Sequence, residues 1–325
     1  MTGSKGLIAI DKVGNAIRFY DPVTLGEIKR IDAPEPCVHE LAMAPDRRSA
    51  FVPLYGDGIY GSNKHPNNKV MVIDLDTQET RDIIDLGQFF APHGMVATSD
   101  GKLWVACDLS NTLLLIDPGK RAIEATYTIP GKGSHLIAAL PDERKLYLSN
   151  KEGDLAVFDF AKRAVVTTVP MGAPGVVQGN GSGSEGVAAS PDGTRVLVAD
   201  NDRSELHVID TSTDREIDRV ALIMNALSNV KRSRLIRLSF SPDGAYVIAT
   251  NYASGLAWVI DGSDYRRQTL VTVAKGPQGA AFAADGKTAL VANHDSGLIT
   301  QIDLISKRAV AVYDGGAGIE VLSYY

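Results

Sequence analysis

Apolar and polar positions alternate along this chain in short runs, and the runs come in a recurring order. One phrase returns six times: an apolar run, a Pro-Asp-Gly-like turn, then a second apolar run ending near Asn or Asp. It reads AMAPDRRSAFVPLYG, VATSDGKLWVACD, AALPDERKLYLSN, AASPDGTRVLVAD, SFSPDGAYVIATN and AFAADGKTALVAN. A third run comes after each and closes on an apolar residue plus Asp, as in Ile73-Asp74, Ile116-Asp117 and Ile260-Asp261. A fourth, more polar run such as RAIEATYTI comes next. Short β-branched runs broken by Asp-Gly turns are hairpins. Four hairpin-linked strands recurring at this period make a propeller blade.

Six repeats are complete and the seventh is split. Residues Leu7–Ala33 supply strands two to four of a blade, and GIEVLSYY at the C-terminus supplies its missing first strand. Pairing the two ends removes a sheet edge that would otherwise invite aggregation. The expected fold is therefore all-β: one seven-bladed β-propeller over residues 1–325, with four-stranded antiparallel blades and a last blade made from both termini.

Six residues before each turn lies the start of an innermost strand, which borders the central channel. These positions hold His39, His93, His135, Glu185, Ile236, Gln278 and Glu320. Intervals of 42 residues separate His93 from His135, Ile236 from Gln278, and Gln278 from Glu320. Three of the chain's 6 histidines share this register. Equivalent positions on rotationally repeated strands point towards one axis, so imidazoles and carboxylates converge there without any local motif.

Three connections are longer than the repeat needs: residues 56–68, 171–184 and 223–234. All emerge at the end where the innermost strands begin, as lids around a pocket would. A second polar set, Asp11, Tyr55, Asp108, Asn150, Asp200, Asn251 and Asn293, closes the second strands at the same end.

His39, His93, His135 and Glu185 suit a divalent iron, manganese, zinc or copper ion, with positions left for water or substrate. A metal-free acid–base site is a second reading, since imidazole titrates near neutrality and Glu can partner it. A channel merely lined with polar groups is a third. Glu185, the three histidines and Glu320 are the catalytic candidates. Gln278, Arg234, Arg237, Tyr55, Asn251 and His294 are candidates for substrate contact, because Arg clamps carboxylates bidentately. Lys231 and Arg232 belong to the same basic cluster, for which a solvated loop is the plainer reading. Glu40 follows a ring residue and is expected to face the sheet interior or a neighbouring blade as a hydrogen-bonded carboxylate. His207 is read as structural, and Cys37 and Cys107 as buried thiols.

A net charge of −6 supplies no basic field for phosphates, so nucleic acid is not an expected partner. No apolar run approaches the roughly 20 residues of a membrane span. Residues 1–6 hold no apolar leader segment, so a cytoplasmic location is expected, or a periplasmic one if a leader has been lost. GNGSGSEG at 179–186 is glycine-rich but lacks the strand–helix context of a phosphate cradle.

The repeat resembles that of the YVTN-repeat propellers over the whole chain. The phrases CVHELAMAPD, APHGMVATSDG, GSHLIAALPDE and SEGVAASPDG are similar to the lactonase and cycloisomerase branch of seven-bladed propellers, which includes 6-phosphogluconolactonases and carboxymuconate cyclases. That resemblance implies His, Glu and Arg at the channel mouth, opening or closing lactones of organic acids. The chain differs from the branch at Ser134, where Arg commonly precedes the channel His, and at Gln278, where a further His is expected. The reading is thus an enzyme acting on a small anionic substrate by hydrolase, lyase or isomerase chemistry. The alternative is a non-catalytic propeller that serves as a binding or interaction scaffold.

Overall fold

The computed structural model describes residues 4–171, 184–200, 203–223 and 234–325. They form 28 strands in seven four-stranded antiparallel sheets. Six sheets are built from strands consecutive in the chain. In the seventh, Ile319–Tyr324 pairs with Leu7–Asp11, which pairs with Ala16–Tyr20 and then Glu27–Asp32. The expected closure by the C-terminal strand is what the structure contains, with that strand innermost. Among the described residues no helix is long and apolar enough to cross a membrane.

The alternation of the closing strands explains why the ring stays shut. Ile8, Ile10, Ile17 and Phe19 pack against Val38, Val52, Leu54 and Met71 of the following blade. On the opposite face Leu7, Ala9 and Tyr20 pack against Leu290, Ala292 and Ile299 of the preceding one. Both faces are therefore dry, and each large apolar side chain so buried contributes on the order of 2 kcal/mol. Asp11 pins the seam. It accepts the backbone N–H of Gly318 (2.8 Å), Ala317 (3.1 Å) and Gly14 (2.8 Å), and the Arg18 Nε–H (2.8 Å). Burial alone would raise its pKa, but these donors outweigh burial and hold the carboxyl below its ordinary value.

One irregularity recurs in the blades and shapes the channel. Where the innermost strand starts, its pairing with the second strand slips by a residue: Pro92 faces Cys107, yet Met95 faces Val105. The same slip falls at Ser134/Ile137, Ser184/Val187, Leu235/Arg237 and Pro277/Ala280, and opposite Ile10/Asp11. Each is a bulge, which leaves one residue unpaired and re-aims its neighbours. Two successive residues of an innermost strand can then face the axis, where strict alternation would allow one. The position after the ring residue is crowded. A Cβ added to Gly94 would lie 2.3 Å from the carbonyl oxygen of His135, and one at Gly186 would lie 2.8 Å from that of Ile236.

Candidate functional site

All seven ring positions line one cavity of about 380 Å³ at the loop-bearing end of the channel. Lys12, Lys151 and Arg234 border it too, as do Ile59–Ser62 of the insertion between Gly56 and Pro66. That insertion is the one long connection described in full. Residues 172–183 and 224–233, which make up nearly all of the other two expected lids, lie outside the described residues, as do Lys231 and Arg232.

His39 is fixed on one side. Its Nδ1 lies 2.6 Å from Glu320 Oε2, so that nitrogen carries the proton and Nε2 is left as an acceptor or ligand. Lys12 Nζ stands 3.5 Å from Nε2 and 3.5 Å from Glu320 Oε1, and Gln278 donates to the same oxygen at 3.3 Å. His93 is 1 % exposed, and neither of its ring nitrogens has a hydrogen-bond partner among the described residues. Its Nε2 is 3.8 Å from Glu40 Oε1. The His93 ring lies edge-on to His39 (centroids 4.4 Å apart) and tilted against His135 (3.7 Å). His135 Nε2 is 3.4 Å from Glu185 Oε1, while its Nδ1 has no partner among the described residues. Glu185 also pairs with Lys151.

Glu40 is the buried, hydrogen-bonded carboxylate expected, but its direction differs from the expected one. It faces the channel, because the chain from Val38 to Ala42 spans one residue more than the stretch Leu54–Phe51 opposite it. There it pairs with both terminal nitrogens of Arg237, which sits on an innermost strand across the axis. Below the ring is a second cavity of about 150 Å³, lined by residues one position beyond the ring, Glu40, Gly94, Leu136, Gly186 and Arg237 among them. Arg237 borders both cavities, so its contact with Glu40 forms the floor between them.

The electrostatics reflect burial and pairing. Burial, reinforced by the neighbouring imidazoles, Arg237 and Lys151, drives His93 well below 6.5. Burial and Lys151 push His135 down to about 3, although Glu185 pulls the other way. Burial lowers His39 as well, partly offset by Glu320. All three imidazoles are neutral at physiological pH. Burial would raise the carboxyls of Glu185 and Glu320, but Lys151 and His135 in one case, and His39 and Lys12 in the other, hold both well below the ordinary carboxylate range. Among the described residues the site thus gathers three carboxylates, Glu40, Glu185 and Glu320, each beside a cation, Arg237, Lys151 and Lys12 respectively.

The donor atoms of His39, Glu40 and His93 all lie within 4.8 Å of one another, and this buried His-Glu-His group can hold a metal ion. The unpartnered nitrogens of His93 fit that role. Donors at about 2.0–2.1 Å from one ion in tetrahedral geometry stand about 3.3–3.4 Å apart, so binding would draw the group together. Two of the four expected ligands, His39 and His93, belong to this group. Glu40 joins His39 and His93, while His135 and Glu185 form a neighbouring pair.

The substrate-contact candidates divide. Arg234 lines the cavity, its guanidinium carbon 4.8 Å from the centre of the Tyr252 ring, and Gln278 and Arg237 line it too. Tyr55, Asn251 and His294 do not border it. Tyr55 packs behind the rings, 4.8 Å from His39 and 5.4 Å from His93, and donates its hydroxyl to Asp108 at 2.7 Å. Burial raises Asp108 to about 7 despite that bond. Asn251 is buried and accepts the N–H of Arg234 and of Ala253. His294 lies beside Tyr252 and Asp295. Second strands end farther from the axis than innermost strands begin, so their last residues support the wall. Glu320 orients one of the imidazoles, His39. Asp108 serves Tyr55, and Asp200 lies by Arg203 and His207. Lys12 and Lys151 escape a reading based on strand ends, yet Lys12 directly follows the strand that ends at Asp11, and Lys151 follows Asn150 within the strand Lys145–Glu152.

No family model matches this sequence, and no curated protein matches it. In fold the chain is similar to a solved structure from Kuenenia stuttgartiensis, that of hydrazine synthase, with a TM-score of 0.73, 17 % identity and 92 % of each chain covered. At that identity the likeness is one of fold, and a fold does not select a chemistry.

Proposed function

We propose that the channel mouth is a metal-dependent catalytic site for a small anionic organic molecule, working by hydrolase, lyase or isomerase chemistry of the lactone type. The observation that carries this reading is His93, a buried imidazole with both nitrogens unpartnered among the described residues, beside the Glu40 carboxylate. Leaving such a group unsatisfied costs about 1–3 kcal/mol, which a bound ion would remove. Two imidazoles and one carboxylate suit iron, manganese, zinc or copper and leave positions open for water and substrate. An ion there would polarise a carbonyl and lower the pKa of bound water. His39 enters as a ligand oriented through Glu320, the arrangement that fixes a tautomer for metal binding. His135, neutral and held beside Glu185, can orient the reacting molecule through its imidazole. Lys12 and Arg234 at the cavity wall attract the anion. The sequence resemblance to lactonases and cycloisomerases supports the same substrate class.

One observation favours a metal-free acid–base site instead: each of the three carboxylates of the site already has a cationic partner. A single experiment separates the readings. Protein purified without a histidine tag is analysed for metals, then assayed for lactone ring opening before and after chelation. The metal reading expects one divalent ion per chain and activity that chelation removes and the ion restores. Activity indifferent to chelation leaves the acid–base site standing. Neither metal nor activity leaves the non-catalytic scaffold.

A further inference from the structure

We infer that Arg237 is an internal counter-ion which a metal displaces from Glu40, and that the released guanidinium then anchors a small organic dicarboxylate in the upper cavity. This rests on reading His39, Glu40 and His93 as a metal site. Three observations carry it. Glu40 is at once a member of the metal-capable group and the bidentate partner of Arg237. The oxygen nearer His93, Oε1, is also the one that pairs with Arg237 Nη2. A divalent ion and the guanidinium therefore compete for the same carboxylate. Arg237 also borders both cavities, so a guanidinium freed from Glu40 already faces the upper one.

Charge balance selects the second ligand. Among the described residues the site holds three carboxylates, each paired with a cation, and an imidazole binds an ion in its neutral form. Adding a divalent ion leaves two positive charges without compensation in a buried setting, where an unpaired charge is costly. A dianion restores the balance. One of its carboxylates meets the metal and the other meets the planar fork of Arg237, whose geometry matches a carboxylate. Arg234 stands on the same cavity wall. A cavity of about 380 Å³ accommodates a small organic acid. Metal and dicarboxylate must then strengthen each other's binding, and the effect must be reciprocal.

The test uses the full-length protein, Mn2+ and succinate, with free Mn2+ read by electron paramagnetic resonance. Saturating succinate should lower the half-saturating Mn2+ concentration about ten-fold, within the ordinary range of coupling between sites. Arg237→Gln should bind Mn2+ more tightly than the parent when succinate is absent, because the competing cation is gone. In that variant succinate should add little. A purely structural role for Arg237 gives the opposite sign, weaker Mn2+ binding. Stoichiometric Mn2+ binding by the parent protein that ignores succinate overturns the coupling but leaves the metal site standing. Coupling that survives in Arg237→Gln removes Arg237 from the account. No Mn2+ binding under either condition overturns the metal site and this inference together. Should Arg237→Gln fail to fold, the two parent titrations still decide whether the coupling exists, and Arg237→Lys, which keeps the charge without the fork, replaces it.

Discussion

Two carboxylate networks lie buried in this molecule, and they are built differently. At the seam between the termini, Asp11 is wholly enclosed and accepts three backbone N–H groups as well as Arg18. Its donors are mostly main chain, fixed by the fold itself. At the channel mouth Glu40, Glu185 and Glu320 are held by Lys, Arg and His side chains that border a cavity, and His93 among them has no hydrogen-bond partner among the described residues. A network satisfied by backbone is a fastening. One satisfied by long side chains, with unpartnered nitrogens in its midst, can be rearranged by a ligand. Burial of charge does not by itself mark a site; what marks it is which partners are missing and which can move.

The sharpest way to break the comparison is at the seam. Deleting residues 319–325 removes the innermost strand of the closing blade and exposes an edge of Leu7–Asp11. The expected result is insoluble protein or loss of the cooperative melting transition, and a soluble truncation with unchanged melting would contradict the closure. Asp11→Ala is next in size. It strands three backbone donors and leaves Arg18 with Glu27 as its remaining carboxylate partner, and should cost about 2–4 kcal/mol in denaturant unfolding while leaving metal binding intact.

The channel mouth should respond in the reverse sense. His93→Ala should change stability by no more than about 1 kcal/mol, since the imidazole it removes has no hydrogen-bond partner to lose among the described residues. It should nevertheless abolish metal uptake, measured by elemental analysis. Glu320→Gln, which loosens His39 without removing a donor, should weaken metal affinity by about 10–100-fold.

The smallest effect is in pH. His93 and His135 have depressed folded pKa values, so their contribution is fully present above the unfolded value near 6.5 and is lost as pH falls below it. Asp11 is also depressed, so its contribution begins to fade only when pH drops towards the ordinary aspartate value of about 3.9. Metal-free protein should thus lose stability in two steps on acidification. His93→Ala should shrink the upper step and leave the lower one, as measured by chemical denaturation at a series of pH values. Imidazole NMR should show His135 still neutral at pH 5 and titrating at about 3.

The repeat, the blade count and the split closing blade are legible in the sequence because each strand carries its own alternation and each repeated turn its Pro-Asp or Asp-Gly signal. The ring is legible for the same reason: a register counted from the turns finds His39, His93 and His135 without any motif. Glu40 is not, because alternation assigns the residue after an inward one to the sheet interior. A one-residue bulge cancels that rule, and nothing in the local sequence announces it. Gly94, Gly186 and Gly279 offer a hint, since they occupy the same register, where a side chain would clash with the neighbouring strand at the first two and press tightly against it at the third. Tyr55, Asn251 and His294 share an end of the propeller with the ring, which makes them substrate candidates from sequence. Their distance from the axis depends instead on which strand of the blade carries them.

X-ray absorption on protein loaded with one equivalent of Zn2+ or Mn2+ tests the central claim most directly. The account predicts a first shell of two imidazole nitrogens and carboxylate or water oxygens, with nitrogens at about 2.0–2.1 Å for zinc. In Glu40→Gln the shell should be disturbed, and in His93→Ala the ion should be gone. A fully hydrated ion in the parent protein, or a shell unchanged in both variants, would contradict it.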